Sequence, residues 1–309
     1  MHRVRCWLSE SMNANLSSSP STTLEAAVAP RIEVERIEGH VPKARVRGHE
    51  FVALCLCPRM FGLSIEIDLT PSGMCNYDCV YCTTRHGAKG PLYVPIEQLE
   101  MELETVMDAL EKTEWIERAV FPGLESLNKG FSQVVFSGKG EPTRCTFFLS
   151  AVRAVIHQRA RGTRPFFDIV LLTNGSLLNE RQVASAIRLM GRGDEIVVKL
   201  DAGEPEAYER VTRSTSQLET VLSNIREVGI GRRISIQTVL FEAEGMGRNQ
   251  PLEIAGRICE LLDEGVEIER ILLSTIWQDQ PGMKALSVPE LSRCSREMEQ
   301  VTGVHVDIY

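Results

Sequence analysis

From Leu63 onward the hydrophobic positions fall into a repeating unit. A short run of Val, Ile and Leu gives way to a polar or glycine-bearing turn, then to a longer stretch with apolar residues at helical spacing. The short runs predict strands over Leu63–Leu69, Gln133–Ser137, Asp168–Thr173, Glu195–Leu200, Arg233–Phe241 and Arg270–Ile276. The first long stretch sets Ile96, Leu99, Leu103, Val106 and Leu110 three and four residues apart, a single apolar stripe with acidic residues between. Strands that are apolar almost throughout, alternating with helices, imply a parallel sheet buried on both faces. This is either an open doubly wound sheet or a curved, incomplete barrel, and both carry their site at the carboxyl ends of the strands.

Upstream, Arg31 to Leu54 mixes β-branched residues with charges, which suits short strands on a partly exposed extension. The expected organisation is a disordered tail over 1–30, an N-terminal extension over 31–62 packed on the core, a core domain over 63–280, and a C-terminal segment of the same domain over 281–309. The tail is serine-rich and basic and lacks the continuous apolar stretch of a signal peptide; it reads equally as a transit-like leader or an over-extended start before Met12. With 43% hydrophobic and 25% charged residues, global disorder is excluded. A net charge of -8 gives no whole-protein field that attracts nucleic acid. The 9 cysteines are odd in number and follow no secretory signal, which favours a reducing cytoplasm over a disulfide framework. No membrane-spanning stretch is expected.

The densest chemistry lies directly after the first predicted strand, where Ser72-Gly-Met-Cys75-Asn-Tyr-Asp-Cys79-Val-Tyr-Cys82 brings three thiols onto one loop. A structural zinc site takes four protein ligands, so zinc would need a distant fourth, such as Cys55, Cys57, Cys145 or His86. A ferredoxin would also supply a fourth cysteine. Three thiolates can instead bind three irons of a cubane and leave the fourth open for chemistry.

The spacing of these cysteines, with aromatic Tyr81 before the last, resembles the signature of the radical S-adenosylmethionine (radical SAM) superfamily. Further likeness lies in Gly138-Lys-Gly140-Glu141-Pro-Thr, Thr173-Asn174-Gly and Lys199-Leu-Asp201-Ala-Gly. The pattern is similar to wyosine-synthesis-like radical SAM iron–sulfur oxidoreductases. The resemblance implies an incomplete (β/α)6 barrel of parallel strands. It implies that Cys75, Cys79 and Cys82 ligate a [4Fe-4S] cluster, with SAM chelating the fourth iron and Tyr81 lying against the adenine, largely through its backbone. Gly138, Gly140 and Glu141 would hold the methionyl amino group, and Asn174 would sit near the ribose.

Lys199 and Asp201 alternate to one side of their strand, either as cofactor ligands or as an ion pair of the barrel interior. Gln237, an amide within an apolar run, must find a partner, either the cofactor or a neighbouring strand. The implied activity is reductive cleavage of SAM to a 5'-deoxyadenosyl radical that abstracts hydrogen from substrate. An external one-electron reductant of flavodoxin or ferredoxin type is the implied partner. No residue is assigned as catalytic, and the substrate class stays open among small molecule, peptide and tRNA. The segment Trp277-Gln-Asp-Gln-Pro281 stands where a tRNA-modifying relative would be more basic. A non-catalytic metal-binding or regulatory protein on the same scaffold is the rival reading. Cys55 and Cys57 read as small core hydrophobes. Arg85, His86 and Lys89 follow the cysteine loop as a solvated charged turn or as contacts to an anionic substrate.

Overall fold

The computed structural model describes residues 34–37, 43–57, 62–84, 93–112, 131–162, 166–245 and 247–309. The expected tail over 1–30, the side chain of Cys57, and Arg85, His86 and Lys89 lie outside the described residues. Strands β1 (Val34–Ile37), β2 (Lys43–Val46), β3 (Val52–Cys57) and β4 (Gly62–Asp68) pair antiparallel in chain order.

From β4 the chain alternates. Helix α1 (Ile96–Lys112) precedes β5 (Gln133–Ser137), α2 (Phe148–Ala160) precedes β6 (Asp168–Thr173), and α3 (Arg181–Leu189) precedes β7 (Glu195–Lys199). Two helices, α4 (Pro205–Thr212) and α5 (Leu218–Gly229), lead to β8 (Ile234–Ala243). Strand β9 (Gly247–Arg248), α6 (Pro251–Asp263), β10 (Ile268–Thr275), β11 (Met283–Ala285), α7 (Val288–Thr302) and β12 (Val306–Ile308) complete it.

The main path of the sheet runs β1-β2-β3-β4-β5-β6-β7-β8-β10-β12, parallel from β4 onward. The six predicted strands therefore stand side by side as a partial barrel, within one or two residues of their expected bounds. A seventh parallel strand, β12, extends the sheet beyond β10. Short strands β9 and β11 pair with the end of β8.

Alternation along each strand separates two buried faces. Ile65, Ile67, Val134, Phe136, Ile169, Leu171, Ile196 and Val198 join the large core under the helices, whereas Val135, Val170, Val197 and Leu272 gather with Cys55 on the other, inner face. Each large aliphatic side chain fully buried contributes about 1.5–3 kcal/mol, so the helix side carries most of the apolar stabilisation. The inner face is left smaller and more polar, with Glu66, Asp68 and Gln237 among its buried residues.

The stripe on α1 packs as its spacing predicts, with Leu99, Leu103 and Val106 buried. One acidic residue of that helix breaks the pattern. Glu102 is 1% exposed and accepts the amides of Glu50, Phe51 and Val52 at 2.9, 2.8 and 3.0 Å, docking α1 onto the start of β3.

Candidate functional site

The cysteine loop begins at the carboxyl end of β4 and is held from three sides. Helix ends leave their last carbonyls without intrahelical partners. Those of Val211 and Thr212, closing α4, take the amides of Val80 and Asp78 at 2.9 and 3.0 Å. The buried Tyr77 hydroxyl meets the Tyr208 hydroxyl at 2.5 Å, a second tie to α4. Cys82 N–H donates to the Cys79 carbonyl at 2.8 Å, turning the third cysteine back toward the second.

The β5 turn supports the loop from below. The Glu141 amide donates to the Met74 carbonyl at 3.0 Å. A side chain on Gly140 would place its Cβ 2.1 Å from that same carbonyl oxygen, and one on Gly138 would fall 2.2 Å from Asp68 Cγ at a φ of +133°. Both positions need glycine for the turn to approach β4 and the cysteine loop.

Glu141 itself is buried and well bonded. Oε1 accepts the Thr143 amide at 3.1 Å, the Thr143 hydroxyl at 2.6 Å and the Thr173 hydroxyl at 2.7 Å, while Oε2 accepts the Asn174 amide at 2.8 Å. Burial raises its pKa and these donors counter the rise. The carboxylate thus joins the β5 and β6 turns.

The β6 turn closes a ring with the cysteine loop. Asn174 Nδ2 donates to Asn76 Oδ1 at 2.9 Å, Asn76 Nδ2 donates to Ser176 Oγ at 2.7 Å, and Ser176 Oγ donates to Asn174 Oδ1 at 2.7 Å. Ser176 N–H adds a bond to the same Oδ1 at 3.0 Å. Asn174 Nδ2 also lies 3.9 Å from Cys75 Sγ, and the Tyr77 amide lies 3.4 Å from it.

The third side is charged. The Tyr81 hydroxyl donates to Asp201 and accepts from Lys199, whose ammonium lies 4.6 Å from the centre of the Tyr81 ring. Lys199 and Asp201 also form an ion pair at 3.6 Å. Asp201 Oδ1 accepts the Val239 amide at 2.9 Å, and Asn249 Nδ2 bonds the carbonyls of Asp201 and Val239 at 3.0 and 2.7 Å. Gln280 Nε2 reaches the Tyr81 carbonyl at 3.2 Å, and Phe241 packs beside the Tyr81 ring at 5.6 Å. Gln237 is 1% exposed and in register with Lys199 and Leu272, on the inner face.

Ten of the eleven predicted site residues thus lie on the cysteine loop and the ends of β5, β6 and β7, with Gln237 beside them on β8. Asn76, Thr173, Ser176, Asn249 and Gln280 join them unpredicted. Asn76 and Thr173 stood inside the quoted motifs. Gln280 stood in the quoted segment Trp277–Pro281, read there only for its lack of basic residues, and Asn249 carried no sequence signal.

The donor set suits an iron–sulfur cluster. The described cysteine side chains are all free thiols, and burial pushes that of Cys79 up to about 12 although Lys199 pulls it down. Burial also raises Cys75. Such thiols become thiolates on binding a metal, whose charge inverts this balance. Zinc would need ligands converging at about 2.3 Å on one point. Among the described residues no three His, Cys, Asp or Glu side chains do so, and Cys55 and Cys145 lie buried within the apolar clusters. A cubane takes one thiolate per iron and makes no such demand.

A family model described as the radical SAM superfamily matches residues 69–247. A protein of Helicobacter pylori named UPF0026 protein is 28% identical over 251 residues, covering 77% of this chain and 70% of its own. Among solved structures, TYW1 with a lysine-pyruvate adduct bound superposes with a TM-score of 0.54 at 16% identity, covering 83% of this chain and 85% of that one. A radical SAM methyltransferase from Sphaerobacter thermophilus gives 0.54 at 15% identity, covering 94% and 77%. At these identities the structural likeness is one of fold.

Proposed function

The chain belongs to the radical SAM superfamily, and on that premise we propose that Cys75, Cys79 and Cys82 ligate its [4Fe-4S] cluster, leaving one iron to SAM. Membership makes it a radical SAM enzyme with iron–sulfur and SAM cofactors. The observation supporting the ligand assignment is a loop of three free thiols pinned at the carboxyl end of β4 by the turns of β5 and β6 and the end of α4.

When bound, the cluster and SAM supply the one-electron chemistry, while the protein orients them and excludes competing reactions. Glu141 Oε2 accepts a single bond among the described residues, so a lone pair remains for the methionyl amino group beside Gly138 and Gly140. Lys199, with its side chain 27% exposed, offers a cation to an anionic group of the cofactor. Asp201, Gln237 and the Tyr81 backbone complete the nucleoside side.

Members of this family generally require a reductant. The partner we propose is of flavodoxin or ferredoxin type. No helix among the described residues is long and apolar enough to cross a membrane. Free thiols agree with a reducing cytoplasm.

The deciding experiment is anaerobic iron and sulfide reconstitution followed by dithionite and SAM, with 5'-deoxyadenosine measured. The wild type should produce it, and Cys79→Ala should yield none. A wild type that loads a cluster but never cleaves SAM would favour the regulatory scaffold instead.

A further inference from the structure

The β6 turn carries an arrangement that cofactor binding does not explain. All the polar atoms of the Asn174 side chain are engaged by protein: Oδ1 by the Ser176 amide and hydroxyl, and Nδ2 by Asn76 and the Cys75 sulfur. An amide can be placed in either of two orientations, and its bonding network decides which is right. Here the decision is firm, because Ser176 N–H can only donate and so fixes Oδ1 on its side. Nδ2 must then face Asn76 and Cys75. An Nδ2 has two hydrogens; one is taken at 2.9 Å by Asn76 Oδ1, and the second is the one beside Cys75 Sγ at 3.9 Å. The ring through Asn76 and Ser176 makes this orientation a property of the fold, set by protein atoms alone.

We propose that Asn174 is a positioning residue for the cluster, donating through Nδ2 to the Cys75 sulfur and raising the cluster's reduction potential, and is not a ribose contact. The inference rests on the reading of Cys75 as a cluster ligand. Hydrogen bonds to cluster sulfurs are among the determinants of iron–sulfur potentials, because a donor stabilises the more negatively charged, reduced form. Cys75 has two such donors, Asn174 and the Tyr77 amide. The backbone donor cannot be removed by side-chain substitution, whereas the amide can, so Asn174 is the position where sequence sets this contribution.

The test uses the full chain, reconstituted anaerobically and titrated in redox steps followed by electron paramagnetic resonance, without SAM. Asn174→Asp keeps the acceptor for Ser176 and replaces the donor with an oxygen. Asn174→Ala removes both, and Asn76→Ala removes the restraint on the amide while leaving Asn174 in place. At equal iron and sulfide content, the midpoint should move to more negative potential in all three, most in Asn174→Asp and least in Asn76→Ala, with SAM affinity close to wild type.

Unchanged midpoints in variants carrying a full cluster would overturn the proposal. So would a loss of SAM affinity without a potential shift, since that would make Asn174 a cofactor contact. Failure of all three variants to load a cluster would also overturn it, by making the ring a requirement of assembly alone. A wild type that takes up no [4Fe-4S] cluster would instead sink the ligand assignment itself.

Discussion

The two flanks of the cysteine loop are built from different materials. On the β5 and β6 side, hydroxyls and amides converge on Glu141 and on one another, and the bonds run between protein atoms at 2.6–3.1 Å. On the β7 and β8 side, Lys199 and Asp201 meet across Tyr81, and the lysine stays partly exposed. The first flank is bonded mostly from within and serves to locate the loop. The second keeps charge at an accessible place, where a ligand can change the balance. Polar groups divided in this way keep one flank rigid and leave the other able to respond to a ligand.

Substitutions should separate these roles, and the largest effect falls on the first flank. Glu141→Ala would strand the Thr143 and Asn174 amides and the Thr173 hydroxyl in a buried place. Losing bonds to a buried charged group and leaving donors unpaired should destabilise the protein without cofactors by about 3 kcal/mol in urea unfolding. A loss near zero would mean that the turns are held by other means.

The second flank should respond in binding rather than stability. Lys199→Met is expected to weaken SAM binding about tenfold, equivalent to ~1.4 kcal/mol, in equilibrium dialysis of the reconstituted protein. Its urea midpoint should stay near that of wild type. If the midpoint falls while SAM affinity holds, Lys199 is a structural ion pair and the contrast between the flanks collapses.

A remote pair calibrates the scale of surface charge. His305 lies between Glu299 on α7 and Asp307 on β12, at 3.0 and 3.1 Å, and these partners raise its pKa above the ordinary 6.5. A raised cation contributes stability that is fully present below pH 6.5 and lost as pH rises through the raised value. His305→Ala should therefore lower the Tm slightly in acid and leave it unchanged at about pH 9, well above any histidine range. The effect should be the smallest of the three, because the ring is exposed and screened. An equal loss at both pH values would point to packing instead of charge.

Much of this arrangement was legible in the chain because its signals are local. The cysteine spacing, the glycines of the β5 turn and the apolar runs of β4 to β8 and β10 each lie within a dozen residues. What escaped was set by contacts made over long separations. Glu102 lies among the acidic residues between the apolar positions of α1, yet its partners are the amides of 50–52, which no pattern on α1 announces. Asn76 was visible within the motif, but its value comes from partners about a hundred residues away. Strand β12, Val306–Ile308, is too short for alternation to register and exists through its pairing with β10.

The bond from Gln280 to the Tyr81 carbonyl spans 199 residues, so the cysteines are synthesised well before this support. At 5–20 residues per second, a ribosome needs on the order of 10–40 s to deliver that distance. During this interval the thiols are present on a nascent chain that lacks first α4 and then Gln280, both of which hold the loop. The loop therefore acquires its full set of supports only after residue 280 has been added to the chain.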